Sequence, residues 1–231
     1  VVYYLVHSLG SADFEERDVA GARTTAAEAE AAGARQIVYL GGLGEEGEEL
    51  SPHLRSRLET GRALASGAVP LTTLRAAVVV GKGSAAFETI VALVDRLPVM
   101  VAPRWVSTPT QPIALADTVR YLAAVAGREE TIGETYDLGG PEVMTYRQMI
   151  ERVAAMRHKR RAIIEVPVLT PFLSSLWLHL VTPVGASVAR PLVEGLRNPT
   201  VAEDTRILEL VPFPLTPFDR AAREALDVGD S

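Results

Sequence analysis

RQIVYLGG (Arg35–Gly42) and LTTLRAAVVVGKG (Leu71–Gly83) are two short apolar, β-branched runs, each closing on a pair of glycines. Between them Ser51 and Pro52 form an N-cap and first-turn pair, and a polar helix follows to about Ser66, ahead of Gly67. Strand, helix, strand in that order predicts parallel strands joined by a crossover. Such sheets bind ligands outside their carboxyl ends, so the residues after Leu40 and after Val80 should border one pocket. His53 and Arg57 fall four apart on the intervening helix and share a face.

Outward from this unit the pattern repeats. Val1–Val6 (VVYYLV) opens on a strand, and Asp13–Ala32 is an alanine- and charge-rich helix stopped by Gly33. Strands are predicted at Gln36–Leu40 and Leu71–Val80, followed by a helix over Lys82–Arg96 whose start at Gly83 and Ser84 offers free backbone amides. Pro98–Gln111 reads as a proline-broken loop with a short strand near Met100–Ala102. A helix follows over Ala116–Ala126, then a strand at Thr135–Gly140, a Thr145-capped helix to Met156 and an apolar strand at Ile163–Val168.

Taken together, Ile37–Leu43, the helix with His53 and Arg57, and Leu74–Gly83 resemble the extended and atypical short-chain dehydrogenase/reductases, particularly the NmrA-like NAD(P)-binding group. The segment TYDLGGP (Thr135–Pro141) and its threonine-capped helix extend the likeness, which runs nearly through Ala154. The resemblance implies an α/β fold, a Rossmann-like doubly wound parallel sheet, with NAD or NADP as cofactor. It implies cofactor contacts at His7, Ser8, Gly41, Gly42, Arg57, Ala76 and Ala77. Where the family carries Tyr-x-x-x-Lys, this chain has His53-x-x-x-Arg57, and the family's serine position reads Gly41, Gly42 and Leu43. In this likeness Val1–Val6 corresponds to the fourth strand of the nucleotide-binding sheet, so the glycine fingerprint would lie upstream and the chain reads as part of a longer protein. Gly41, Gly42 and Gly44 imitate that fingerprint, but Glu45, Glu46, Glu48 and Glu49 follow at once and would repel phosphate. The stretch reads as an acidic surface loop.

Each candidate also has a plainer reading. His53 is either an acid or base near neutrality or a surface histidine on a helix. Arg57 either contacts cofactor ribose or phosphate, or pairs with Glu59, Glu49 or another carboxylate on a solvated face. Arg75 interrupts an apolar strand and needs a carboxylate or carbonyl partner, of which Asp117 is one option. Gly81, Gly83, Ser84 and Phe87, with Trp105, Thr108 and Gln111 from the proline-rich loop, should line the substrate side, although Trp105 could equally cover the core.

At 231 residues and 48% hydrophobic content the chain can bury a substantial core. We expect an NAD(P)-binding domain over 1–156 and a smaller region over 157–231. The formal charge of −6, without long runs, argues against a nucleic-acid partner and leaves a small molecule. There is no cysteine, which removes disulfides and thiolate chemistry, and four scattered histidines predict no metal. Leu169–Ala189 lacks Lys, Arg, Asp and Glu, but Pro171, His179, Pro183 and Gly185 interrupt it, so a buried helix pair is expected over a membrane span. A cytoplasmic oxidoreductase on a small molecule is one reading of function; a nonenzymatic NAD(P)-binding sensor, regulator or scaffold is the other.

Overall fold

Ile37, Val38 and Tyr39 are buried on both faces of the strand they open, as the centre of a parallel sheet requires. The computed structural model describes residues 1–8, 13–44, 51–166 and 198–227, with the backbone alone at 52, 53 and 103–105. The strands β1 (Val2–Tyr4), β2 (Ile37–Gly42), β3 (Leu71–Ala76) and β8 (Thr135–Leu138) form a four-stranded sheet in the order β1-β2-β3-β8. All three pairings are parallel.

Helices cover both faces of this sheet. Helices α1 (Phe14–Ala31) and α2 (Pro52–Ala65) pack on one face, where Ile37 and Tyr39 meet Ala22, Ala29 and Leu64. Gly21 lets α1 lie close to β1: a Cβ there would lie 3.2 Å from the Tyr4 hydroxyl. On the other face, Val38 and Leu74 meet Tyr121, Leu122 and Val125 of α4 (Leu115–Val125). Gln36 ties this face down, its amide donating to Thr72 Oγ1 at 2.8 Å and to the Val125 carbonyl at 3.1 Å.

A third cluster lies beyond the sheet. It is built from α3 (Ala85–Arg96), α5 (Tyr146–Met156) and the helix Phe218–Ala225, which contributes Phe218, Ala221 and Ala222. Thr145 caps α5 in a reciprocal box with Gln148. The strand expected near Met100 is β5 (Val99–Pro103), and its parallel partner is β10 (Ala162–Val166); β6 (Pro109–Thr110) and β9 (Met144–Thr145), which lie between them in the chain, form an antiparallel pair.

One expected strand divides. Leu71–Val80 is not continuous: β3 ends at Ala76, and β4 (Val79–Val80) leaves the sheet to pair with β7 (Ile113–Ala114). The Ala76 carbonyl is taken by the Leu43 N–H at 2.9 Å, and Ile113 N–H reaches the Val78 carbonyl at 2.9 Å. Two different partners therefore claim the two halves of one apolar run. The acidic loop at 45–50 and the apolar segment 169–189 lie outside the described residues. Among those described, no helix is long and apolar enough to cross a membrane, and no group of three His, Asp or Glu is placed to hold a metal.

Gly140 sits against the Pro112 carbonyl, which its N–H reaches at 3.1 Å, so an added Cβ would overlap a backbone oxygen that cannot rotate away. Gly140→Ala is expected to destabilise by about 1–3 kcal/mol, measured by urea unfolding. Asp95 accepts from Arg157 Nη2 at 2.7 Å and Lys159 Nζ at 2.5 Å, and the Arg157 hydrogen bond leads in holding its carboxyl below the usual range. Its contribution is full above the unfolded value of about 3.9 and lost as pH falls through the lower folded value. Asp95→Asn should flatten that acid limb of a stability-versus-pH curve and leave the neutral slope alone.

Candidate functional site

The carboxyl end of β2 lies under α2 because the helix start is fixed. Ser51 Oγ accepts the Leu54 N–H at 3.2 Å, and Pro52 supplies the first helical position. The Tyr39 hydroxyl then donates to the Arg57 carbonyl at 2.9 Å, and Gly61 lets the helix lie on the Tyr39 ring. Burial pushes the Tyr39 phenol up to about 12, and nearby Arg57 offsets this only in part. This tyrosine stays neutral through the physiological range.

Arg57 points back to the strand ends. Its Nη1 donates to the Val6 carbonyl at 3.4 Å and its Nη2 to the Leu40 carbonyl, while the guanidinium stacks 4.9 Å from the Tyr39 ring centroid. The ion pair considered with Glu59 does not form; Glu59 meets Arg62 instead, at 3.7 Å on the surface. Arg57 thus caps the carboxyl ends of β1 and β2 with charge that no described carboxylate neutralises.

Arg75 is the second cation. Strand β3 alternates, with Thr72, Leu74 and Ala76 buried and Leu71, Thr73 and Arg75 on the opposite face. Register sets Arg75 between Gly41 of β2 and Asp137 of β8. Arg75 Nε donates to Asp137 Oδ1 at 2.7 Å, and the other carboxylate oxygen accepts the N–H groups of Glu203 and Asp204 at 3.0 and 3.1 Å. The partner is therefore Asp137, and Asp117 is spent elsewhere, accepting the Thr216 N–H at 2.6 Å and its hydroxyl at 3.1 Å.

Two cavities meet at Arg75. One, of about 270 Å³, is a groove between α2 and the uncovered face of β3 and β8, with Gly41, Gly42, Arg57, Thr73 and Thr135 on its lining. The other, of about 210 Å³, is walled by Leu43, Asp137, Val201 and Glu203. The expected residues Gly41, Gly42 and Arg57 are thus brought together.

Other expected residues stand apart. His7 is exposed and Ser8 half-buried beyond β1, just past the carbonyl that Arg57 holds. Ala76 is buried and Ala77 half-buried where β3 gives way to β4. Phe87 is 2% exposed and belongs to the core with Met149 and Val153. Gly83 adopts φ of +84° and its N–H closes a turn on Glu88 Oε1 at 2.9 Å. Gln111 is a strut, donating to the Gly140 carbonyl at 2.7 Å and accepting the Ala202 N–H at 3.0 Å. The side chains of His53 and Trp105 lie outside the described residues. Thr73 and Thr135 were not anticipated at the groove. The alternation of LTTLRA could have placed Thr73 beside Arg75, whereas Thr135 enters through strand register alone.

No family model matches the chain, and no curated protein matches it in sequence. Solved structures do match. A nucleoside-diphosphate-sugar epimerase from Staphylococcus aureus aligns over 96% of this chain and 76% of its own, at 15% identity and a TM-score of 0.71. An NADPH-dependent quinone oxidoreductase from Escherichia coli, complexed with NADPH, aligns over 96% and 74%, at 18% identity and 0.70. The Citrobacter sp. triphenylmethane reductase complexed with NADP(H) aligns over 91% and 72%, at 17% identity and 0.64. The fold is theirs. At such identities the likeness is one of architecture, a Rossmann-like α/β arrangement shared with nucleotide-binding epimerases and reductases.

Removing the cation should expose how far Asp137 depends on it, since its side chain is 2% exposed. Arg75→Ala is expected to cost on the order of 3 kcal/mol in chemical denaturation, because a buried carboxylate is left without its charge partner.

Proposed function

We propose that the chain is an NAD(P)-binding protein of the atypical short-chain dehydrogenase type, acting in the cytoplasm on a small molecule. The observation that carries this is the end of the groove where Gly41 and Gly42 of β2 meet the donors of Arg57 and Arg75, next to the carboxyl ends of β2 and β3, where open α/β sheets receive ligands. The neighbours whose structures hold NADPH or NADP(H) share that sheet.

The residues present fit one end of such a cofactor. A Cβ at Gly42 would come within 3.2 Å of Leu54, so glycine keeps that wall clear, and Arg57 retains N–H groups beyond those given to Val6 and Leu40. A groove of about 270 Å³ suits a ring and ribose and is too small for a whole dinucleotide. A bound nicotinamide would supply hydride transfer. Arg57 would hold a ribose hydroxyl, as the lysine does in the resembling family, and His53, one turn earlier, or a water would exchange the proton. Tyr39 takes no part in proton transfer, since its hydroxyl is committed to a helix carbonyl and its phenol is pushed up to about 12 by burial.

A sensor that binds the dinucleotide without turnover is favoured by one feature. Arg57 is locked onto two strand-end carbonyls and, unlike lysine, cannot shed its proton to tune a neighbour. Calorimetric titration with NADH and NADPH, followed by cofactor oxidation assays with quinones, separates these readings. Binding with turnover is expected for the enzyme and binding without it for the sensor; no binding of either nucleotide would overturn both. Arg57→Ala should weaken binding about tenfold, equivalent to roughly 1.4 kcal/mol.

A further inference from the structure

The groove beside α2 carries a charge bias that nucleotide binding at the strand ends does not use. Three arginines line it, Arg57, Arg62 and Arg75, and no carboxylate of the described residues does, in a chain of net charge −6. Arg62 is partly neutralised by Glu59 on the surface. Arg75 is different. It is held by Nε alone, so its orientation is fixed by Asp137 while both terminal nitrogens lack a partner among the described residues. Its side chain is 29% exposed, which leaves the guanidinium within reach of a ligand.

The floor and wall complete the arrangement. Thr73 and Thr135 are register partners on the same open face as Arg75, and Leu58 of α2 rises beside them as an apolar wall. The smaller cavity across Arg75 contains Asp137 and Glu203, whose charge would repel an anion, so an anion meeting Arg75 is directed into the groove.

We propose that this groove binds a small organic oxyanion, a carboxylate or phosphate on an apolar body, with the oxygens on the terminal nitrogens of Arg75 and the hydroxyls of Thr73 and Thr135. A guanidinium offers the planar, paired donors that such groups accept. If the chain is a reductase, this small acid is its substrate, and that assignment alone rests on the dinucleotide reading. Anion binding itself is independent of that cofactor.

The test is an NMR titration of the full chain with sodium benzoate and, separately, inorganic phosphate, at constant ionic strength and without nucleotide. Saturable benzoate binding that shifts the Thr73, Arg75 and Thr135 amides is expected. Arg75→Lys keeps a cation opposite Asp137 but loses the paired donors, and should weaken benzoate about tenfold. Thr135→Glu, at an exposed strand start, places a carboxylate in the groove and should abolish binding with the fold intact, as its spectrum would show. Phosphate binding that is lost in both variants also supports the oxyanion site. Absence of saturable binding by either anion to the folded chain overturns the proposal, as does binding that survives both substitutions. Because nucleotide is left out, failure here is distinct from failure of the dinucleotide titrations.

Discussion

The carboxylate of Asp137 is almost wholly removed from water, and a charge so placed must be met by donors. Three meet it: Arg75 Nε and the backbone N–H groups of Glu203 and Asp204. One side chain thereby joins β3, β8 and the chain returning from residue 198. The rest of that return follows the same line, with the Thr200 N–H on the Pro109 carbonyl, the Gln111 N–H on the Thr200 carbonyl, and the two threonine hydroxyls of Thr110 and Thr200 2.7 Å apart. Were Asp137 apolar, the guanidinium of Arg75 would have no fixed direction, and the wall of both cavities would lose its anchor.

The second constraint is the seat of α2 on the sheet. Tyr39 fills the space under the helix, its hydroxyl bound to the Arg57 carbonyl and its ring stacked by the Arg57 guanidinium. Helix position and cation position are therefore one choice. An arginine bound to strand-end carbonyls provides fixed charge and directed donors. The chemistry open to the site is binding and orientation first.

The groove exists because α2 covers only part of its sheet face. Gly41 and Tyr39 lie beneath the helix, while Thr73, Arg75 and Thr135 lie beyond it and remain polar. A fully covered sheet would carry apolar residues there. The alternation of β3, buried on the α4 side and half-exposed on the other, is the imprint of that incomplete cover.

Local features were legible before any tertiary structure. The Ser51 cap, the Pro52 start, the Thr145 box and the glycine stops depend on residues within a few positions of one another, and with the strand-helix-strand order they predicted the α/β sheet; Gly41, Gly42 and Arg57, which the family resemblance singled out, line one groove. Other features required contacts across the chain. Arg75 and Asp137 are 62 residues apart and meet only through the β3–β8 register, so Asp117 could not be eliminated in advance. The division of Leu71–Val80 depended on Leu43 and Ile113 each taking a different one of its carbonyls, and the fates of Phe87 and Gln111, core residue and strut, depended on α5 and on residues 140 and 202. Short-range sterics and capping are written in neighbouring residues; pairing of buried charge and division of a sheet are settled by which distant groups arrive with the right donor or acceptor.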